Sequence, residues 1–272
     1  MTDAERAAAL ETIAAEIRVC RRCRLHQGRT NAVPGEGNPA TEVVMVGEGP
    51  GFNEDRQGRP FVGRAGDLLV RLLASIGWRR EDVFITNVVK CRPPDNRDPQ
   101  PDEIAACAPY LKRQLEALDP AVVVTLGRYS LGTFMPGTRI GQVHGTARPV
   151  DASTGARDAL AFAMYHPAAA LRTPAVERES YEDIARVPST LLGSRRQRAE
   201  REALVASAPA VATVASSAPA HDADSSARGP ASVAVVSTAP DTEPPALASS
   251  GSHEQASSAV AAAVDTDQLE LF

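Results

Sequence analysis

Four short apolar runs punctuate the first 165 residues: Val43-Val44-Met45-Val46, Val83-Phe84-Ile85-Thr86, Ala121-Val122-Val123-Val124-Thr125-Leu126 and Leu160-Ala161-Phe162-Ala163-Met164. Each is apolar almost throughout, with no polar residue at every second position, which marks a strand buried on both faces. Segments with helical spacing lie between them. Ala7, Leu10, Ile13, Ala14 and Ile17 predict an amphipathic helix over 3–18, and Leu68, Leu69, Leu72 and Leu73 predict another over 64–76. A helix over 102–117 opens on Asp102 and Glu103, which favour the positive end of its dipole. A short helix is expected over 129–135, an extended segment or hairpin over 139–150, and a last helix over about 176–192, weakened by Pro188. Strands alternating with helices predict a parallel sheet covered on both faces.

That sheet gives the polar residues a place. Glu48, Asn87, Arg128 and His166 each stand just past the end of a different strand. If the strands are parallel, all four ends open into one crevice, where open α/β sheets bind ligands. Strand ends are commonly polar for no functional reason, so any one of these residues alone says little. Four together, two of them joined to Gly- or Pro-restricted loops, say more. The loop after the first strand, Gly47-Glu48-Gly49-Pro50-Gly51, matches neither GxGxxG nor GxxxxGK[ST], which argues against a dinucleotide or nucleoside triphosphate.

Composition changes near residue 195. Beyond it come runs such as ASAPAVATVASSAPA and STAPDTEPPALASSGS, which have no sustained period and too little apolar surface to offset chain entropy. The sequence therefore predicts a folded domain over 1–194, a disordered linker over 195–264, and a terminal peptide over 265–272. The whole chain carries a formal charge of −5. From Arg201 onward there are two basic and nine acidic residues, so the tail contributes −7 and the body is +2. A mildly basic body permits a polyanionic partner without requiring one. No apolar run reaches the ~18 residues of a membrane span, and the N-terminus lacks the pattern of a signal peptide. A cytoplasmic, membrane-free protein is expected, in which the four cysteines do not form structural disulfides.

Cys20 and Cys23 form a CxxC knuckle, Cys91 follows the second strand, and Cys107 sits in the next helix. Two residues between thiolates let both reach one metal centre. A buried cysteine is often only a small hydrophobe, which suits Cys107 best. It suits the knuckle least, because Arg21, Arg22 and Arg24 are not core neighbours. Zinc and a [4Fe–4S] cluster both fit four thiolates; the spacing leans slightly to zinc.

GEGPGFNEDRQGRPFVGRAGDLL, TNVVKCRPPDNRDP, YHPAAALR and the four cysteines together resemble the iron–sulfur, or family 4, uracil-DNA glycosylases. The resemblance spans about 10–193 and is specific, since the separate blocks occur in order. It implies a three-layer α/β/α sandwich around a mainly parallel four-stranded sheet. It also implies a [4Fe–4S] cluster on Cys20, Cys23, Cys91 and Cys107, in place of zinc. The implied reaction is hydrolysis of the N-glycosidic bond of uracil flipped out of DNA, leaving an abasic site for base-excision repair. A monomer is expected. The competing readings are a non-catalytic nucleic-acid-binding protein of the same fold and a small-molecule hydrolase. The second leaves the cysteines unexplained.

The resemblance assigns roles by position. Phe61 would stack on the flipped base and Asn87 would read the pyrimidine edge. His166 would hydrogen-bond uracil O2, and Glu48 would orient water or favour the sugar cation. Gly49 occupies a position that is usually Ala in the family and carries a water-activating carboxylate in some other uracil-DNA glycosylases. Glu54 is expected to crowd the thymine methyl. Leu171 would fill the gap left by the flipped base, and Arg172 would hold a phosphate. The segment after Cys91, RPPDNRDPQPDE, lacks the Lys/Arg-rich insert of a related branch that bonds covalently to DNA, so turnover without an adduct is expected. Finally, Gln268, Leu269, Leu271 and Phe272 form QLELF, which resembles the bacterial sliding-clamp-binding pentapeptide. A flexible tether would raise the local enzyme concentration at the clamp.

Overall fold

The computed structural model of the chain describes residues 1–207. Its strands are β1 (Glu36–Gly37), β2 (Val43–Gly47), β3 (Phe84–Asn87), β4 (Val122–Leu126), β5 (Ala147–Pro149) and β6 (Leu160–Met164). They form one sheet in the order β1-β3-β2-β4-β6-β5. The four middle strands are parallel, while β1 and β5 pair antiparallel at the two edges. The sheet is therefore mixed and six-stranded, where the sequence predicted a mainly parallel sheet of four. The edge strands span two and three residues and bury none of them, so they leave no apolar run to detect.

The helices are α1 (Asp3–Val19), α2 (Phe52–Gln57), α3 (Arg64–Ser75), α4 (Pro101–Leu118), α5 (Arg128–Phe134), α6 (Ile140–Val143), α7 (Pro167–Ala170), α8 (Pro174–Ile184) and α9 (Val187–Ser207). The two-residue period of the strands divides the core into two apolar layers. On one face Val44, Val46, Val123, Ala161 and Ala163 pack with Leu10, Ile13 and Ile17 of α1 and Leu111, Leu115 and Leu118 of α4. On the other, Val43, Met45, Val122, Val124, Phe162 and Met164 meet the leucines of α3, Ile184 of α8, and Val187 and Leu191 of α9. The helical layers thus stand on both faces of the sheet.

The last predicted helix is two helices. Pro188 sits in the first turn of α9, where a missing backbone N–H costs nothing, so it helps to start this helix. α9 then runs through the domain boundary placed at 195. Ser194 Oγ donates to the Ala121 carbonyl at 2.8 Å, Arg195 pairs with Glu42, and the Arg198 guanidinium donates to the Arg157 carbonyl at 2.9 Å. These long-range contacts keep 195–198 in the folded body. The rest of the expected linker from 208 onward, and the terminal peptide over 265–272, lie outside the described residues. No helix among the described residues is long and apolar enough to cross a membrane.

Candidate active site

The sheet order reverses at β2, which has β3 on one side and β4 on the other. Ligands of open α/β sheets sit beyond the carboxyl ends of strands at such a point. Here Glu48 follows β2, Asn87 ends β3, Arg128 opens α5 after β4, and His166 caps α7 after β6. Two glycines allow the close approach. A β-carbon at Gly47 would collide with both Asn87 Oδ1 and the Phe61 ring. A β-carbon at Gly127, whose φ is +89°, would lie 2.8 Å from the Cβ of His166. The side chain of Asn87 is 1% exposed, and its Oδ1 is buried without a hydrogen-bond partner. An orphaned acceptor is costly in a finished core and marks a position that a ligand donor can fill.

Phe61 is fixed from all sides. Its φ of +50° is strained for a bulky residue. Arg80 holds that conformation by donating to the Phe61 carbonyl at 2.8 Å, and also to the Pro60 carbonyl. Gly66 lets α3 start directly against the same carbonyl, which a β-carbon would strike. Glu54 completes the clamp. Its Oε1 accepts the N–H groups of Val62 at 2.9 Å and Gly63 at 3.2 Å, and its Oε2 accepts that of Gly51 at 3.1 Å. The Phe61 ring then stands 5.7 Å from that of His166, tilted 27°.

The state of His166 follows from its surroundings. Nδ1 accepts the Ala168 N–H at 3.1 Å, so the ring proton is on Nε2. Burial, with a smaller contribution from the positive charge of Arg172, pulls its pKa down to about 4. It is a neutral donor at physiological pH. Glu48 moves the other way: burial, and then the negative charge of Asp98, push its pKa up to about 7 against the opposing pull of Arg128. Arg128 itself is ion-paired with Asp98 and lies 4.9 Å from the centre of the Tyr129 ring.

The four cysteines lie away from this crevice, around one cavity that Ile17, Arg29, Lys90 and Tyr110 also line. Three N–H groups point at the sulfurs: Arg29 Nη1 to Cys91 at 3.1 Å, the Lys90 backbone to Cys107 at 3.3 Å, and the Arg22 backbone to Cys20 at 3.5 Å. Burial pushes the Cys107 thiol up to about 11, so without a cation beside it this side chain is a neutral thiol. Among the described residues no three His, Cys, Asp or Glu side chains close on a single point. Four thiols around one cavity with N–H groups aimed at them are a donor set that a four-thiolate group, zinc or a [4Fe–4S] cluster, would use.

Comparison with known proteins decides the family. The model of the uracil DNA glycosylase superfamily matches residues 34–186. A type-4 uracil-DNA glycosylase of Saccharolobus solfataricus is 49% identical over 67% of this chain and 86% of its own length. One from Archaeoglobus fulgidus is 48% identical over 69% and 95%. A type-5 uracil-DNA glycosylase of Pyrobaculum aerophilum is 32% identical over 50% and 65%. This chain belongs to the type-4 uracil-DNA glycosylases.

Against that family the expected residues sort clearly. Phe61, Asn87 and His166 come together, Glu48 follows Gly47 at the same strand end with Asp98 and Arg128 as its charged neighbours, and a β-carbon at the adjacent Gly49 would press within 2.7 Å of Val89 Cγ2. Arg128 reaches the rim but is engaged with Asp98. Both oxygens of Glu54 accept backbone N–H groups of Gly51, Val62 and Gly63, so it positions the Phe61 turn, whatever it does beside a methyl group. Leu171 is half-buried against the apolar layer that includes Ala170, and Arg172 is exposed beside it.

Sequence reading missed α2 entirely, together with Asp55, which is buried and accepts the Thr30 N–H at 2.9 Å. It also missed Lys90. That side chain is 1% exposed, and its Nζ donates to Thr86 Oγ1 at 2.6 Å and, at 2.7 Å, to both the Asn87 carbonyl and Gln114 Oε1. The available signal was a lone lysine inside the apolar run VVKC.

Proposed function

We infer that this chain is a uracil-DNA glycosylase that takes uracil flipped out of DNA and hydrolyses the bond between its N1 and the sugar C1′. The observation that carries the residue assignments is the buried, unpartnered Oδ1 of Asn87 across Gly47 from the Phe61 ring. Uracil presents N3–H and O4 on the edge that an amide can meet with one acceptor and one donor. Oδ1 would accept N3–H while Nδ2 donates to O4. Cytosine presents an unprotonated N3 and an amino group there, so buried groups would face like partners and the base is rejected. The Phe61 ring supplies the stacking wall.

As the N1–C1′ bond breaks, its electron pair moves onto the base and the sugar becomes cationic. Neutral His166, with its proton on Nε2, would donate to O2 where negative charge grows, a contribution of ~3 kcal/mol by comparison with other fixed oxyanion donors. Glu48, ionised above pH about 7, would favour the sugar cation and orient water for attack on C1′. The water oxygen joins C1′ and its proton leaves to the carboxylate or solvent, the departing uracil anion takes up one proton from solvent, and uracil and an abasic site remain. No residue at Gly49 can act as a further base.

A [4Fe–4S] cluster held by Cys20, Cys23, Cys91 and Cys107 would tie the end of α1 to the segment after β3 and to α4. When bound it would supply a rigid cross-link beneath Asn87, and no proton or bond-breaking step depends on it. The peptide containing Gln268, Leu269, Leu271 and Phe272 would dock on the sliding clamp, on the strength of its QLxLF pattern. The enzyme would act as a cytoplasmic monomer. One assay tests the central reading: release of free uracil from single- and double-stranded DNA by the wild type, with Asn87→Ala and His166→Ala as controls.

A further inference from the structure

Phe52 is 46% exposed and is the only strongly exposed aromatic side chain among the described residues. Isolated exposed apolar residues are ordinary, but this one is neither isolated nor randomly placed. The guanidinium of Arg92 lies 5.2 Å from its ring centre and that of Arg56 lies 5.7 Å away. It belongs to the first turn of α2, directly after the loop at 49–51 that forms one lip of the crevice. Glu54 of the same helix holds that lip, and the turn carrying Phe61, through backbone N–H groups of Gly51, Val62 and Gly63. Arg92 reaches the ring from the opposite strand connection, where Val89 N–H bonds to the Glu48 carbonyl at 3.1 Å and Arg92 Nε donates to Asn96 Oδ1 at 2.7 Å. Two separate segments thus present one flat apolar ring flanked by two positive charges at the mouth of the site.

An aromatic ring with guanidinium groups over it is chemistry used to bind single-stranded nucleic acid: a base stacks in among the ring and the planar cations, which also meet the phosphates. The ring is too exposed to be a core residue and too close to the crevice to serve a remote partner. We propose that Phe52, with Arg56 and Arg92, is a stacking platform for an unpaired base next to the flipped uridine on the same strand. The proposal rests on the reading of the crevice as a uracil site. It assigns Phe52 a part in substrate binding and none in the reaction at C1′.

The test uses the full chain and short single-stranded oligonucleotides containing one deoxyuridine. Phe52→Ala raises KM about tenfold, with a smaller effect on kcat, and Phe52→Trp restores the wild-type value because it keeps an aromatic face. Arg92→Gln and Arg56→Gln each lower the slope of log affinity against log salt by about one, as expected for a single phosphate contact. 2-Aminopurine placed beside the uracil is quenched on binding to the wild type and not to Phe52→Ala. An unchanged KM in Phe52→Ala overturns the proposal, and so does restoration by Phe52→Leu as complete as by Phe52→Trp. If the wild type releases no uracil at all, the reading of the crevice fails instead, and the two failures are distinguishable.

Discussion

The buried ammonium of Lys90 donates to the backbone carbonyl of Asn87 at 2.7 Å, directly beneath the amide that meets the base. Its other two donors go to Thr86 Oγ1 and Gln114 Oε1. One side chain therefore fixes the end of β3 and ties it to α4. Burial pulls the Lys90 pKa down to about 7, and the three acceptors take up its three N–H groups.

Lys90→Met keeps the volume but leaves three buried acceptors without donors. The expected loss of stability is ~3 kcal/mol, since each orphaned buried group costs ~1–3 kcal/mol and some relax. Urea melts measure it. Uracil excision should fall as well, through a displaced Asn87, with the KM change exceeding that of a surface lysine substitution such as Lys112→Met.

Comparing the pH profiles of wild type and Glu48→Gln isolates Glu48. His166, at about 4, stays uncharged around neutral pH, while Glu48 and Lys90 both titrate near 7, so only the difference between wild type and Glu48→Gln reads the carboxylate. Single-turnover excision should rise with pH toward 7 as Glu48 ionises, and Glu48→Gln should flatten that rise while keeping any change above 7 that comes from Lys90. Stability runs the opposite way. The folded state raises the Glu48 pKa above the unfolded value of 4.5, so protonation favours folding and stability is lost as pH rises from 4.5 through about 7. Glu48→Gln should therefore melt higher than wild type at pH 8, by ~1 kcal/mol after allowance for solvent screening, and identically at pH 4.

Glu54→Ala separates a positioning role from methyl exclusion. Loss of three charge-assisted hydrogen bonds should destabilise the protein by ~3 kcal/mol and slow uracil excision as the Phe61 turn loosens. Thymine should remain rejected. Excision of thymine by Glu54→Ala would show that the side chain also crowds the thymine methyl.

The cysteine cavity makes a compositional claim. Purified protein should be coloured and contain iron and acid-labile sulfide in equal amounts, with little zinc. Cys107→Ser or Cys20→Ser should lose the colour and melt at a lower temperature. Colourless, zinc-loaded protein with full stability would contradict the cluster.

The central strands were legible because both of their faces are covered, which forces continuous apolar runs such as Val43 to Val46. The strand-end residues Glu48, Asn87 and His166 followed from parallel topology alone. What stayed hidden depends on distance in the chain. Arg195 and Arg198 read as the start of a disordered linker, yet they bind Glu42 and the Arg157 carbonyl, contacts that no local pattern announces. β1 is two residues in a Gly-rich loop and exists only because the edge of β3 accepts it. Glu54 and Lys90 carry charges that look solvated in sequence, and only the folded chain surrounds them with backbone and side-chain partners.

The most direct test is free uracil released from oligonucleotides carrying a single deoxyuridine or a single deoxycytidine, measured for wild type and Asn87→Ala. Wild type should release uracil and leave cytosine untouched. Asn87→Ala should lose ~10²–10³ in kcat/KM on uracil, the equivalent of two hydrogen bonds to a desolvated base. Uracil release by Asn87→Ala at the wild-type rate, or no release by the wild type, would contradict the assignment of this crevice as the uracil site.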